Sequence, residues 1–330
     1  MEMNFTEWVA VTDASSVGAA RRAASVVAQK LGFDETRSGE LAILATESSR
    51  NVLVHGSGGQ VILAGIPQER GPMARILAVD KGAGIANVPQ AMSDGFSTAG
   101  TMGSGLGAMK RIATALEIFT GRGGTVLMLE LGQAAPVSDL QVAGVAVPLS
   151  GERFCGDAWD YHSTPERTLV LLADGIGHGR EASEAAHEAI AVFREHLDLS
   201  PGEILSYVHD ALGKTRGAVA SIAEIRPKQK SLIYAGVGNI SAVLLSGDAS
   251  RSLVSHNGTL GMIVPRIQEF RVDWPADAVL VLHSDGLQSR WDLSPYAGLL
   301  ARHPAVIAGA LLRDFRRQRD DASAVVIKAA

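Results

Sequence analysis

Two sets of residues whose types and spacing suit phosphate chemistry lie in series along this chain. In the first half Glu47 and Asn51 stand four apart, followed by Asp80-Lys-Gly-Ala-Gly84 and then Gly103-Ser-Gly-Leu-Gly107. In the second half four aspartate motifs are spread out: Gly156-Asp157, Asp174-Gly-Ile-Gly-His-Gly179, Ser284-Asp285-Gly286 and Asp320-Asp321. On a helix, residues 47 and 51 project from one face. There an amide oxygen at Asn51 can ligate Mg²⁺ and a carboxylate at Glu47 can orient or deprotonate an attacking hydroxyl. Asp80 can accept a hydrogen bond from an adenine amino group, beside Gly82 and Gly84, which let the backbone approach closely. Gly103, Gly105 and Gly107 precede a helix holding Lys110 and Arg111, so N–H groups at its start can cradle phosphates. The first set therefore suggests ATP. The second suggests a pair of divalent metals, because hard cations that activate water need several carboxylates gathered from distant parts of a chain. Taken singly, each motif has a plain structural alternative: a solvated pair on an amphipathic helix, an Asp-Gly turn, a loop before a helix, an aspartate pair at the start of a strand.

The elements that must position these residues are legible in outline. Residues 13–31 and 34–55 read as helices that open at acidic caps and close at Gly32 and Gly56. Strand-like runs follow at 61–66 and 75–79, then a helix from about 106 and a closing pair of strands, which predicts helices on one side of a mixed sheet. In the second half, β-like runs at 168–173, 219–225, 231–235, 241–245, 278–283 and 323–327 surround helices near 182–196, 201–212 and 304–315. That pattern predicts a sheet sandwich flanked by helices. Periodicity lapses at residues 132–139, which include Pro136, so this stretch is the expected boundary.

With 330 residues, 46% of them hydrophobic, the chain can bury two ordinary cores. A formal net charge of -5 argues against a phosphate-backbone footprint, so no nucleic-acid partner is expected. The opening residues lack a basic segment followed by an apolar one, and no apolar run is long enough to span a membrane; the expected location is cytoplasmic, with no membrane partner. The single cysteine, Cys155, cannot form an intrachain disulfide, in keeping with a reducing compartment. Arg313, Arg316, Arg317 and Arg319 read as a solvated cationic helix end, with partner docking as the alternative.

The order and placement of the three motifs in residues 10–131 resemble the GHKL ATP-binding fold shared by gyrase, Hsp90, sensor histidine kinases and anti-sigma-factor serine kinases. The stretch Asp94-Gly-Phe-Ser-Thr-Ala-Gly, continuing into the glycine loop and Gly123-Gly-Thr-Val126, is similar to the switch serine kinases of bacterial stressosomes (RsbT-like). By that resemblance Asn51 holds Mg²⁺, Glu47 assists an acceptor serine or threonine hydroxyl, Asp80 reads adenine, Gly82, Gly84, Gly103, Gly105 and Gly107 shape the pocket, and His55 is structural. The ordered aspartates of the second half resemble the protein phosphatase 2C superfamily, in its SpoIIE-like branch and small stressosome-resetting member (RsbX-like); Gly236-Val-Gly-Asn239 resembles an internal glycine turn of that branch. This implies two Mn²⁺ or Mg²⁺ ions held by Asp157, Asp174, Asp285, Asp320 and the Gly175 carbonyl. Asp321 is the alternative to Asp320, and His178 has either a turn-stabilising or a phosphate-facing role.

Together the resemblances imply a two-domain α+β protein. A GHKL-type α/β sandwich over 1–134, with helices on one face of a mixed sheet, joins through a linker at 135–139 to a protein phosphatase 2C-like α-β-β-α sandwich over 140–330. The implied function is a bifunctional switch that phosphorylates and dephosphorylates serine or threonine on STAS-domain anti-sigma-factor antagonists or stressosome scaffold proteins, with a sigma factor or downstream phosphatase as further partners. Two alternatives stay open: a phosphatase whose first domain only senses ATP, and a module that sequesters a partner.

Overall fold

In the computed structural model, residues 5–66, 71–93, 105–121, 123–133 and 139–330 are described. Gly103, the 94–100 stretch and most of the expected linker lie outside them. The chain forms two compact units: Met1–Pro136 with Ala297–Asp314, and Val137–Tyr296 with Phe315–Ala330.

The first unit runs β1 (Phe5–Val11), α1 (Ala14–Lys30), α2 (Glu35–His55), β2 (Gly59–Ile66), β3 (Met73–Asp80), the short α3 (Val88–Ala91), α4 (Gly105–Ile112), β4 (Ala115–Gly121) and β5 (Gly124–Gly132). The long helices start where acidic caps dictate. Asp13 accepts from the Ser15 and Ser16 amides and Asp34 from that of Arg37, which satisfies donors that a helix start leaves unpaired. The sheet has the order β1-β2-β3-β5-β4, and every described pairing is antiparallel, where the sequence suggested a mixed sheet. The physical reason is the β4–β5 hairpin, which turns back at Gly121–Gly124 and lays β5 antiparallel beside β3. Alternation along the strands divides their side chains. Ile76, Ala78, Leu127 and Leu129 join Leu41, Leu44, Val27 and Met109 in one core under the helices. On the opposite face Arg75 and Glu130 are direct cross-strand partners and form an ion pair at 2.7 Å.

The second unit begins with β6 (Leu140–Val147), β7 (Asp157–Ser163), β8 (Thr168–Gly175), α5 (Arg180–Glu195) and α6 (Pro201–Ala211). It continues with β9 (Ala218–Arg226), β10 (Ser231–Val237), β11 (Ser241–Ser246), β12 (Ala249–Leu253), β13 (Glu269–Asp273) and β14 (Val279–His283). Helix α7 (Pro304–Phe315) and β15 (Ala322–Ala329) end the order of elements. Two five-stranded antiparallel sheets, β13-β10-β9-β8-β7 and β12-β11-β14-β15-β6, stack across a core containing Val170, Leu172, Tyr234, Leu280, Leu282 and Val325. On the outer face of the first sheet, Leu169, Leu171 and Ile222 meet Phe193 of α5 and Leu205 of α6. Apart from Phe315, α7 groups by its packing with the first unit. Among the described residues no helix is long and apolar enough to cross a membrane.

Candidate functional site

The nucleotide motifs converge at one end of the first unit. Glu47 and Asn51 lie on α2, and the first residue of α4 comes down beside them: a Cβ on Gly105 would stand 3.6 Å from Asn51 Oδ1 and 3.9 Å from Glu47 Oε2. Met109 fixes that approach, being fully buried against α2 with Ser48 Oγ at 3.5 Å from its sulfur. Glu47 Oε1 accepts from Arg50 Nη1 at 2.8 Å, which leaves Oε2 on the Gly105 side.

Asp80 sits at the end of β3 in a frame of glycines. A side chain at Gly56 would overlap its Cβ, and Gly124 (φ +109°) must be a glycine because the Asp80 carbonyl lies against it. Among the described residues the carboxylate is held on one side: Oδ1 accepts from the Gly82 amide at 2.9 Å and the Thr125 amide at 3.2 Å. Burial raises the pKa of Asp80, and these two hydrogen bonds with the charges of Arg313 and His55 partly oppose the rise. Gly84 abuts the Gly121 carbonyl and Gly107 is buried within α4, so both serve close packing.

In the second unit, strand register brings the aspartates together. Asp157 opens β7 and lies directly opposite Asp174 near the end of β8. Asp285 follows β14 and Asp320 precedes β15, which are paired neighbours. The Asp174 carboxyl is pushed up to about 9, first by burial and then by the like charges of Asp157, Asp285, Asp320 and Asp321. Burial also pushes Asp157 up to about 7, opposed by the hydrogen bond from Ser284 and assisted by the like charges of Asp321 and Asp320. Asp320 is raised as well, mainly by burial. Such a cluster resists ionisation until a cation joins it.

Further contacts orient the ligand candidates. Ser284 Oγ donates to Asp157 Oδ2 at 2.6 Å and accepts from the Ser323 amide at 3.1 Å, while Asp157 Oδ1 is buried with no hydrogen-bond partner. Asn239 Nδ2 donates to Asp285 Oδ2 at 2.7 Å. Asp321 is differently engaged: Oδ1 accepts from the Leu149 amide at 2.6 Å and Oδ2 from the Gly156 amide at 2.8 Å, so its carboxylate staples the 149–156 loop. Gly175, whose carbonyl is the remaining candidate ligand, packs against the Ala182 backbone too closely for any side chain. His178 Nδ1 lies 2.9 Å from Glu152 Oε1. Among the described residues no three His, Cys, Asp or Glu side chains form a closed metal-holding group. The residues nevertheless fit divalent cations, since the orphaned Asp157 oxygen and the mutually repelling carboxylates lack only a positive charge.

The residues alone point to the carboxylates and to His178, but not to Ser284 as the partner of Asp157 or to Glu152 as that of His178. Adjacency to Asp285 was the available signal for Ser284; Glu152 carried none. Arg313, expected at a solvated helix end, is only 5% exposed, because α7 packs it inward.

Residues 164–330 match the family described as Stage II sporulation protein E (SpoIIE), and residues 10–131 match the histidine kinase-like ATPase domain. Over 107 residues the chain is 32% identical to the serine/threonine-protein kinase RsbT of Bacillus subtilis (strain 168), covering 32% of this chain and 75% of RsbT. Over 139 residues it is 25% identical to the phosphoserine phosphatase RsbX of the same organism, covering 42% of this chain and 69% of RsbX. A solved structure from work on the bacterial stressosome, as a modular system adapted to control secondary messenger signaling, is 28% identical with a TM-score of 0.53; the match covers 57% of this chain and 99% of that one. The paired sheets, the converging aspartates and these matches agree. The chain belongs to the SpoIIE family and is a metal-dependent protein serine/threonine phosphatase that carries a histidine kinase-like ATPase domain ahead of it.

Proposed function

We propose that the chain is a two-way switch in a partner-switching pathway: its first domain phosphorylates, and its second dephosphorylates, serine or threonine on STAS-type partner proteins. The observation that carries this reading is the approach of Gly105 to both Asn51 and Glu47, which unites a cation-binding amide, a candidate general base and a helix start in one place. We assign residues 1–134 to the kinase-like domain, 135–139 to the linker and 140–330 to the phosphatase.

In the first domain ATP with Mg²⁺ supplies the phosphoryl group. Asn51 holds the cation, Asp80 accepts from the adenine amino group through its less engaged Oδ2, and the glycines at 82, 84, 103, 105 and 107 shape the pocket, those at 84 and 107 through close packing. Glu47 orients the acceptor hydroxyl and takes its proton. Positioning and charge neutralisation dominate such a transfer. In the second domain two Mn²⁺ or Mg²⁺ ions supply Lewis acidity for attack by water on a phosphoserine or phosphothreonine. Asp157, Asp174, Asp285, Asp320 and the Gly175 carbonyl hold them, with Ser284 and Asn239 fixing the orientation of two of these carboxylates. Asp320 is preferred to Asp321 because both oxygens of Asp321 are engaged by backbone amides.

The test uses γ-labelled ATP, the Asp285→Asn chain, so that added phosphate is not erased, and purified STAS proteins. Label on a partner serine or threonine, removed afterwards by the unaltered chain with Mn²⁺, supports the switch. Bound nucleotide without label overturns the kinase assignment and leaves a sensing or sequestering domain beside the phosphatase.

A further inference from the structure

Six large apolar side chains of the second unit stay exposed among the described residues, and four of them border one turn. That turn, residues 174–179, carries Asp174 and Gly175 of the candidate metal site. Ile176 lies on it. Met262 and Ile263, 61% and 76% exposed, come to it from one side, and Phe154, 41% exposed, from the other. Apolar surface gathered at one place, rather than scattered, marks a site of interaction.

The path from the exposed side chains to the metal site is short and continuous. Gly175 pairs with Ala218 at the end of the β8–β9 ladder, and the Ile176 amide donates to the Gly217 carbonyl at 3.0 Å. Ala218 exchanges two backbone hydrogen bonds with Leu260, at 3.1 and 2.8 Å, and a Cβ on Gly217 would stand 3.5 Å from Met262 Cγ. On the other side Phe154 is followed closely by Gly156, where a Cβ would stand 3.4 Å from the Gly177 carbonyl oxygen.

The tip that carries Met262 and Ile263 is held from within. Leu260 is fully buried, the Thr259 amide donates to the Ile263 carbonyl at 2.9 Å, and the Met262 amide donates to the Thr259 carbonyl at 3.1 Å. Gly261, at φ +83°, lies against the Leu212 carbonyl, where a Cβ would come within 2.6 Å of the oxygen. One apolar residue thus anchors the tip and the two after Gly261 are left in solvent. Folding gains nothing from exposing them, and a fixed backbone lowers the ordering cost of docking.

Charge sits beside this apolar surface. Arg216 Nη1 stands 3.2 Å from the point a Cβ would occupy on Gly177, and its Nε pairs with Glu181 Oε2, both side chains being more than half exposed. An exposed ion pair of this kind contributes little, so a phosphate dianion, which accepts strongly from a guanidinium, can take the place of Glu181. A cation at the turn with apolar side chains beyond it matches a phosphorylated protein segment with apolar neighbours. A small phosphate ester would use only the cation.

We propose that Ile176, Met262 and Ile263 form a docking face for the phosphoprotein substrate: apolar side chains next to its phosphoserine or phosphothreonine seat on the tip while Arg216 meets the phosphate. This rests on the assignment of the aspartate cluster as the metal site. It makes the residues around the phosphosite, and not the phosphate alone, decide which protein is dephosphorylated.

The experiment uses the full chain with Mn²⁺ and two synthetic phosphoserine peptides, one with leucines flanking the phosphoserine and one with serines there, and p-nitrophenyl phosphate as the reference substrate. The unaltered chain is expected to prefer the leucine peptide about tenfold in kcat/KM, the effect of covering part of two apolar side chains. Met262→Ser combined with Ile263→Ser, which leaves Leu260 in place and is checked for an unchanged thermal transition, is expected to cut that preference below about threefold. Arg216→Gln is expected to weaken competitive inhibition by inorganic phosphate about fivefold. Equal use of the two peptides by the unaltered chain overturns the docking face, as does a preference retained in the double variant; if that variant instead turns a dimer into a monomer on size exclusion, a second copy of the chain is the occupant. Phosphate inhibition unchanged in Arg216→Gln overturns the part given to Arg216. Absence of Mn²⁺-dependent hydrolysis of p-nitrophenyl phosphate by the unaltered chain overturns the metal-site reading and the docking face with it.

Discussion

Ser284 and Asp157 are joined by a 2.6 Å hydrogen bond in which the serine hydroxyl donates to Oδ2, and the same hydroxyl accepts from the Ser323 amide. The serine therefore uses its one proton to aim a carboxylate whose other oxygen has no partner. Replacing it with alanine leaves Asp157 free to turn. Ser284→Ala should raise the half-saturating concentration of Mn²⁺ about 10-fold, the usual cost of losing a contact that orients a ligand, with a smaller change in the rate at saturating metal. Titration of metal-dependent p-nitrophenyl phosphate hydrolysis checks this.

The neighbouring aspartates at 320 and 321 should separate stability from metal binding. Asp321 is 2% exposed and accepts two backbone amides, so Asp321→Ala should destabilise the unit by about 2–4 kcal/mol in urea unfolding. Asp320→Asn should leave the unfolding midpoint within about 0.5 kcal/mol while reducing metal-dependent turnover at least about 10-fold. The reverse pattern would exchange the two assignments.

The raised carboxyls set a pH dependence for the metal-free protein. Asp157 at about 7 and Asp174 at about 9 lie above the unfolded value of ~3.9. Their protonated forms are favoured in the folded state, so the stability they contribute is fully present below the unfolded value. It is lost as pH rises through about 7 and then about 9. The melting temperature measured in chelator should fall from pH 5.5 to 8.5, and the stabilisation by saturating Mg²⁺ should grow over the same range. A metal-induced shift that is flat with pH would count against the cluster as the cation site.

In the first domain, Glu47→Ala should retain ATP binding and lower transfer to a partner serine about 100-fold. Asp80→Asn removes the acceptor matched to an adenine amino group and should weaken ATP binding about 10-fold without a comparable loss for phosphate alone. Calorimetry and a label-transfer assay distinguish the two.

Much of this was legible in the residues because the strongest signals are local. The caps at Asp13 and Asp34 place α1 and α2 within a residue of expectation. The apolar run ending in Asp174 is β8, buried along nearly its whole length. Of the strands that pattern reading did not isolate, β1 is apolar and lies ahead of the first cap, whereas β7, β12 and β13 are weak or polar for identifiable reasons. β12 and β13 are largely exposed edge strands with few apolar residues, and β7 carries Asp157, Asp160 and His162 because one end faces the acidic cluster and Asp160 pairs with Arg194 of α5. Side-chain partnerships across 127 residues, as between Ser284 and Asp157, leave no trace in local spacing. Nor does the inward turn of Arg313, since a helix end rich in arginine looks solvated until its packing partner is known.

The pairing of β6 with β15, from Leu140 opposite Ala329 to Val147 opposite Ala322, has a consequence for biosynthesis. A growing chain has β6 without this neighbour until the residues between Val147 and Ala322 have been made, and β14 likewise waits for β15 at its side. Closure of this sheet is a late, long-range event, and Asp320 reaches the other aspartates only then. A nascent chain can thus display folded parts of its ATPase-like half while its phosphate-removing half is still open and inert.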